Sequence, residues 1–336
     1  MDCNLWKMVV AKTTANEKHP FLIKHDFMKK FIRILASVAV PGVIAITSCH
    51  KDNNPTPTPT PTPTALQSYI SQDTSLSIYN AALAKSGDKS LVSGDDSVTV
   101  LIPTNQAFRN AGITESSITN MTNGAADSLL RYHIVNGSIA LQNGVYSPFT
   151  TALGNRVYGF GGVVDSNYFN GVQSSVVSVP GSKGTVYRLN APLGVPFSDR
   201  SAYFNADTSL SLYAQAVQRA GIDISSDTGF TTVFVPNNTA FRNAGYSSIA
   251  DINNADSATL RNVLMYNMLP GQYFANSYNG LTTVGTSAGG NISVGTSATG
   301  PTFTGIGSST PYGFAGSGQL VGDNAYYQPT TGLLTP

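Results

Sequence analysis

The residues of this chain that could do chemistry are few, and each stands without the partners its chemistry needs. Gly285-Thr286-Ser287-Ala288-Gly289 has the G-x-S-x-G spacing in which a sharp turn lifts a serine hydroxyl toward an acyl carbon. That turn needs a buried strand before it and a helix after it. Thr282 to Gly318 is instead dominated by Gly, Ser and Thr, with no helical periodicity. The serine also needs a histidine to take its proton. Beyond residue 48 the chain has only His50, close to the N-terminus, and His133, in the other half of the molecule. Asp227-Thr228-Gly229 has the form of an aspartic-protease carboxylate, but that mechanism needs two such carboxylates sharing a proton, and no second D-[ST]-G occurs. Gly305-Ile306-Gly307 lacks the third glycine of a dinucleotide-binding loop and lies in no strand–helix–strand unit. No histidine–carboxylate group has metal-ligand spacing. The expectation is a protein that is not an enzyme, with no catalytic residue, no cofactor and no metal.

Cysteine offers one further chemistry. Met28-Lys29-Lys30 opens a basic stretch, and Phe31 to Ile46 is an apolar run broken by Pro41-Gly42, the shape of a signal peptide rather than a membrane span. It ends in Ile46-Thr47-Ser48-Cys49, which resembles a bacterial lipobox; the resemblance implies lipidation of Cys49 as the first residue of the mature protein. Residues 1–27 then read as an over-extended start, 28–48 as the lipoprotein signal peptide and 49–64 as a linker. His50-Lys51-Asp52 after the cysteine resembles in part the export signal of envelope lipoproteins of the Bacteroidetes type. Pro55 to Thr64 alternates Pro and Thr; proline supplies no N–H and fixes φ, so this is a stiff spacer on the order of 30 Å long.

Charge divides at the same place. Residues 1–48 hold 7 of the 19 Lys+Arg and 3 of the 18 Asp+Glu, which leaves 12 basic and 15 acidic residues and a formal charge of −3. The remaining basic residues are scattered, which excludes the electrostatic footprint of a nucleic-acid binder. Cys3 and Cys49 both precede the folded part, so no disulfide can form within it.

The folded part is organised around a stretch that occurs twice. Thr99 to Gly112 reads TVLIPTNQAFRNAG and Thr232 to Gly245 reads TVFVPNNTAFRNAG, identical at 10 of 14 positions without a gap. An internal repeat of this kind sets the architecture. Each copy predicts a short strand of β-branched and aromatic residues closed by Pro103 or Pro236. Thr104-Asn105 or Asn237-Asn238 then caps a helix anchored by Phe108 or Phe241, and Gly112 or Gly245 stops it. Upstream, Asp73-Thr74-Ser75-Leu76 returns as Asp207-Thr208-Ser209-Leu210. Leu76, Tyr79 and Leu83 share one helical face, and Gly87 and Gly221 stand at helix stops. Further short helices are predicted near Ser116–Met121 and Ile249–Asn253, with strands at Arg156–Phe160, Val176–Val179 and Thr185–Leu189. Thr282 to Gly318 reads as weak strands with long turns or a partly mobile region, because Gly-rich strands specify their register weakly.

Strand–Pro-Thr-Asn–x–Ala-Phe resembles the first signature of the fasciclin-like (FAS1) domain, and Leu129–Gly137, LLRYHIVNG, resembles its second, a helix running into His-(Val/Ile)-Val-x-Gly. The second copy, Val263–Gly271, departs at Asn267, where the family usually has His. The resemblance covers roughly residues 65 to 336. It implies an α+β fold of two tandem domains, 65–196 and 197–336, each a two-sheet β-wedge or sandwich with short helices packed on one side. For Tyr132-His133 two readings stand: a buried helix-to-strand junction, or, as the resemblance implies, part of an adhesive surface. Pro103, Asn105, Phe108, Pro236, Asn238 and Phe241 read as fold signature rather than ligand site.

The function expected is a cell-envelope-anchored adhesion or extracellular-binding lipoprotein. It would be anchored by its N-terminal lipid to an outer membrane and engage an extracellular protein or polysaccharide. The alternative is a structural or accessory lipoprotein of an outer-membrane nutrient-uptake complex; a hydrolase is the third.

Overall fold

The computed structural model describes residues 62–92, 97–162, 166–223 and 229–336. The leader, Cys49 and Pro55 to Pro61 of the Pro-Thr spacer lie outside these residues, as do Asp227 and Thr228.

Repeat one begins with α1 (Ala65–Gln72) and α2 (Ser77–Ser86), joined by a 3₁₀ turn at Thr74–Leu76. Strand β1 (Val98–Pro103) leads into α3 (Asn105–Asn110), α4 (Glu115–Asn120) and α5 (Asn123–Tyr132). Then come β2 (Ile134–Asn136), β3 (Tyr146–Thr150), β4 (Arg156–Gly161), β5 (Asn167–Phe169), β6 (Val172–Val177) and β7 (Thr185–Leu189). Repeat two opens with α6 (Arg200–Ala206) and α7 (Ser211–Arg219). It continues through β8 (Thr231–Pro236), α8 (Asn238–Asn243), α9 (Ile249–Asn254), α10 (Ser257–Tyr266) and β9 (Met268–Pro270). It closes with β10 (Thr283–Gly285), β11 (Asn291–Ser297), β12 (Gly300–Thr304), β13 (Tyr312–Gly313), β14 (Gln319–Val321) and β15 (Ala325–Thr330).

Local chemistry accounts for the boundaries. Thr64 and Gln67 form a reciprocal capping box at the start of α1. Asp73 does not begin a long helix, as the spacing predicts; its carboxylate accepts from Ser75 N at 2.9 Å and caps the 3₁₀ turn, so α2 starts four residues later. Gly87, Gly112, Gly221 and Gly245 all stand at positive φ just past helices, as their positions in the sequence predict.

Each repeat is built on one strand buried on both faces. β1 pairs parallel with β7 (Thr99 opposite Thr185) and antiparallel with β2 (Val100 opposite Ile134). β8 does the same with β15 and β9. Alternation along the strand then divides the core in two. Val100 and Ile102 face the helices and pack with Leu76, Tyr79, Leu83 and Phe108. Leu101 faces the opposite side, with Tyr132, Val157, Phe169 and Tyr187. In repeat two Val233 and Val235 join the helical core around Phe241, while Phe234 joins Tyr266, Tyr278, Ile292 and Phe303.

The outer strands differ between the copies. Repeat one keeps seven strands in one hydrogen-bonded sheet, ordered β2-β1-β7-β6-β5-β4-β3. Repeat two divides into two four-stranded sheets, β14-β15-β8-β9 and β10-β11-β12-β13. The Gly/Ser/Thr-rich stretch therefore forms strands. Val284, Ile292 and Phe303, all 4% exposed or less, are the apolar pegs that fix their register. Among the described residues no helix is long and apolar enough to cross a membrane.

Candidate functional site

The repeated signature proves to be a clamp. Pro103 and Pro236 end β1 and β8, where no further N–H is needed. The cap of α3 is Thr104, whose hydroxyl accepts from Ala107 N at 3.2 Å, and Asn237 does the same for α8 at 3.0 Å. Asn105 reaches another helix instead. Its Oδ1 accepts from Ile78 N at 3.0 Å, and its Nδ2 donates to Thr74 O at 2.9 Å and Ser77 Oγ at 3.0 Å. The start of α2 has no side-chain cap of its own, so Asn105 satisfies it from outside. Asn238 repeats the arrangement on Leu212 N, Thr208 O and Ser211 Oγ. Phe108 and Phe241, both 0% exposed, plug the helical core beneath each clamp.

Tyr132 and His133 are 0% and 1% exposed, which corrects the adhesive-surface reading to a buried one. Leu193 N donates to His133 Nε2 at 3.0 Å, so Nε2 must be the unprotonated nitrogen and Nδ1 donates to Leu129 O at 2.8 Å. The imidazole thus ties the last turn of α5 to the segment after β7. Burial holds it neutral and pushes its pKa down to about 4, against a weaker upward pull from the Leu129 carbonyl. Asn267 makes the same bridge without a titrating group: Nδ2 donates to Val263 O and Leu334 O, both at 2.8 Å, and Oδ1 accepts from Leu334 N at 3.2 Å. Tyr132 Oη donates to Arg156 O at 3.0 Å and accepts from Asn170 Nδ2 at 2.8 Å. Tyr266 is held likewise by Asn291 O and Ile306 N.

Ser287 lies in the turn between β10 and β11, with strands on both sides, so the strand-to-helix elbow that would activate it does not form. Its backbone N–H donates to Met268 O at 2.8 Å. Among the described residues no three His, Cys, Asp or Glu side chains are placed to hold a metal. The ion pairs serve the scaffold. Arg131 bridges Asp127 at 2.9 Å and Asp88 at 2.5 Å, and Arg188 binds Asp73 while its guanidinium lies over the Tyr69 ring.

A feature that sequence spacing does not reveal is the seam between the repeats. Tyr158, Phe274, Leu320 and Tyr326 form one small core, joined by Tyr146 and Phe230. Phe274 packs 4.8 Å from the Tyr146 ring and 4.6 Å from Tyr326. Tyr158 Oη donates to Asp323 O at 2.8 Å, and Tyr146 Oη donates to Asn276 Oδ1. The β5–β6 turn at Asn170-Gly171 seats against Phe274, where a Cβ on Gly171 would come within 2.7 Å. Beside the seam opens a cleft of about 860 Å³. Its repeat-one wall includes Leu129, Asn170 and Leu193. These are the groups that Tyr132 and His133 hold from behind.

The geometry defines a duplicated α+β scaffold whose signature residues are structural. The family model of the fasciclin domain matches residues 74–196 and 208–310. The chain belongs to that family and carries two of its domains in tandem. Fasciclin domains are associated with adhesion-type roles, are typically non-catalytic and are commonly extracellular or surface-associated. Among solved structures, the chain is similar to a FAS1 domain pair from the insect cell adhesion molecule fasciclin I. The identity is 18% over 77% of this chain and 96% of that one, with a TM-score of 0.38. No curated protein matches the chain.

Proposed function

We propose that the chain is a non-catalytic adhesion or extracellular-binding lipoprotein of a cell envelope, held at the outer membrane through a lipid on Cys49. Its two domains, 65–196 and 197–336, would be carried outward on the Pro-Thr spacer and engage an extracellular protein or polysaccharide. The observation that carries the reading is the tandem fasciclin pair closed by one aromatic seam, which presents two modules as one unit. The signature polar groups supply hydrogen bonds to the scaffold, so a partner must be met by other surfaces. The lipobox-like Ile46–Cys49 and the leader before it support the address.

The test has two arms. Radiolabelled palmitate should enter the wild-type protein in cells and fail to enter Cys49→Ser. The purified domain pair should bind an envelope, matrix or glycan fraction above background. Equal labelling of Cys49→Ser removes the anchor, and absence of binding to all three fractions removes the adhesive role.

A further inference from the structure

The cleft beside the seam is lined by uncharged groups. Among the described residues that form it there is no Asp, Glu, Lys, Arg or His. Its polar groups include the exposed amides of Gln173 and Asn190 and the exposed hydroxyls of Thr299 and Ser317; the amide of Asn170 is already bonded to Tyr132 Oη and Tyr158 N, and Nε2 of Gln328 to Gly316 O. Its apolar groups include Pro192, Leu193, Val195 and Phe314. Both repeats contribute, and glycine sets their approach. A Cβ on Gly194 would come within 2.5 Å of the Gln319 amide, so the missing side chain lets that amide of repeat two lie against the backbone of repeat one.

Lining chemistry selects the ligand class. An ionised ligand would lose water here without gaining a counter-charge. A wholly apolar ligand would cover the exposed amides of Gln173 and Asn190 and leave donors and acceptors there without water or a partner. A neutral polyhydroxylated ring meets both demands. Its hydroxyls donate and accept, as carboxamides do, and its C–H faces pack on proline, valine and phenylalanine. The volume, about 860 Å³, falls in the range of small-molecule sites, roughly 300–1,000 Å³, and has room for more than one sugar ring.

We propose that the inter-repeat cleft is a binding site for neutral oligosaccharide, formed only when the two fasciclin domains are joined. This deepens the adhesive reading and rests on it for biological purpose, though not for chemistry. Tyr132 and His133 act as positioning residues, because they fix Asn170, Leu129 and Leu193 in its wall. Among the described residues the matching place in repeat two, beside Tyr266, is packed differently. There Gly305 and Gly307 pack directly on Thr335 and Pro336, where added Cβ atoms would meet backbone at 2.4 and 2.6 Å.

The experiment titrates the two-domain protein with cellohexaose, xylohexaose and mannohexaose, and with hexagalacturonate as the anionic arm, by calorimetry or ligand-observed NMR. Gln173, Asn190 and Ser317 are exposed at the cleft, so substitutions there should leave the melting temperature unchanged. At least one neutral probe is expected to bind saturably. The double variant Gln173→Ala, Asn190→Ala should weaken it about tenfold, the loss expected for one or two hydrogen bonds. Ser317→Trp should abolish it by filling the cleft, while Thr239→Trp, on α8 outside the cleft, should change nothing. No binding of any neutral probe at millimolar concentration overturns the proposal. So does tighter binding of hexagalacturonate, or unchanged affinity in Ser317→Trp. If Ser317→Trp still adheres to envelope or matrix fractions, adhesion stands and the cleft is not its site.

Discussion

The two repeats solve one structural problem with different side chains, and the difference shows what the position requires. His133 and Asn267 sit at the same junction, each ending a helix and each with a backbone carbonyl that accepts from the central strand, Leu101 N or Phe234 N at 2.8 Å. Each side chain links the carbonyl four residues back to a leucine amide near the repeat's end. An imidazole and a carboxamide share a donor and an acceptor set apart, and nothing else relevant here. The junction needs a neutral two-ended bridge, and the aromatic ring and its pKa are incidental to the fold. The outer strands teach the converse. One copy closes seven strands in a single sheet and the other divides them, although the central strand trio is the same in both.

The largest effect that probes this equivalence is removal of the corner phenylalanine. Phe108→Ala and Phe241→Ala each empty a fully buried ring site and should cost about 3–5 kcal/mol. Chemical denaturation should give similar losses for the two. A twofold or greater disparity would show that the corners are not energetically equivalent.

Acid sharpens the comparison further. Histidine titrates near 6.5 when unfolded and near 4 at position 133. Between those values the unfolded chain binds the extra proton, so folding loses stability as pH falls. The contribution is complete above about pH 6.5 and declines by on the order of 3 kcal/mol on the way to pH 4, then levels. Repeat two carries no such group at its junction. His133→Asn should therefore fold, cost under about 1 kcal/mol at pH 7.5, and flatten the slope between pH 6.5 and 4. His133→Ala should cost about 2–4 kcal/mol at pH 7.5, because Leu193 N–H loses its buried acceptor, and that deficit should shrink toward pH 4 as the wild type loses its own titrating contribution. An unchanged acid slope in His133→Asn would mean that carboxylates elsewhere control it.

A smaller effect separates the two clamps. Asn105 is 8% exposed and its bond to Ile78 N is buried, whereas the bonds of Asn238 lie nearer solvent. Asn105→Ala should cost about 2 kcal/mol and Asn238→Ala about 1 kcal/mol, since water can replace partners only where it reaches. Equal losses would place the cost in the helix start itself rather than in burial.

Much of this was legible in the sequence, for physical reasons. β1 and β8 are short, apolar and closed by proline, so their extent was visible. Gly112 and Gly245 announced the helix stops because only a left-handed residue is comfortable there. His133 and Asn267 stand at matching positions of the two copies, and both residue types carry a donor and an acceptor, so a shared hydrogen-bond role is legible in the exchange. Asn105 was visible as a polar residue at a helix start, but its true partner, Ile78, lies 27 residues away, and local spacing carries no trace of it. The seam was invisible for the same reason: Tyr146 meets Asn276 across 130 residues and Tyr158 meets Asp323 across 165. Strands β10 to β13 are only half legible, as one of two readings of Thr282 to Gly318, because Gly, Ser and Thr blur the period-two signal and Val284, Ile292 and Phe303 carry it.

The smallest effect concerns Tyr79 and Tyr213, which fill matching sites in α2 and α7. Both are fully buried, and neither hydroxyl has a hydrogen-bond partner among the described residues. Burial drives both phenols far above the usual tyrosine range, so each stays neutral at any pH at which the protein is handled. A buried hydroxyl without a partner forfeits its bond to water and gains nothing in return. Tyr79→Phe and Tyr213→Phe should therefore be neutral or stabilise by up to about 1 kcal/mol, read as a small rise in the denaturation midpoint at unchanged slope. The sign decides the matter more than the size. A loss of stability in one copy alone would mean that its hydroxyl is bonded, and that the two helical cores differ in a polar contact as well as in the rings that pack on Tyr213, those of Phe204 and Phe241.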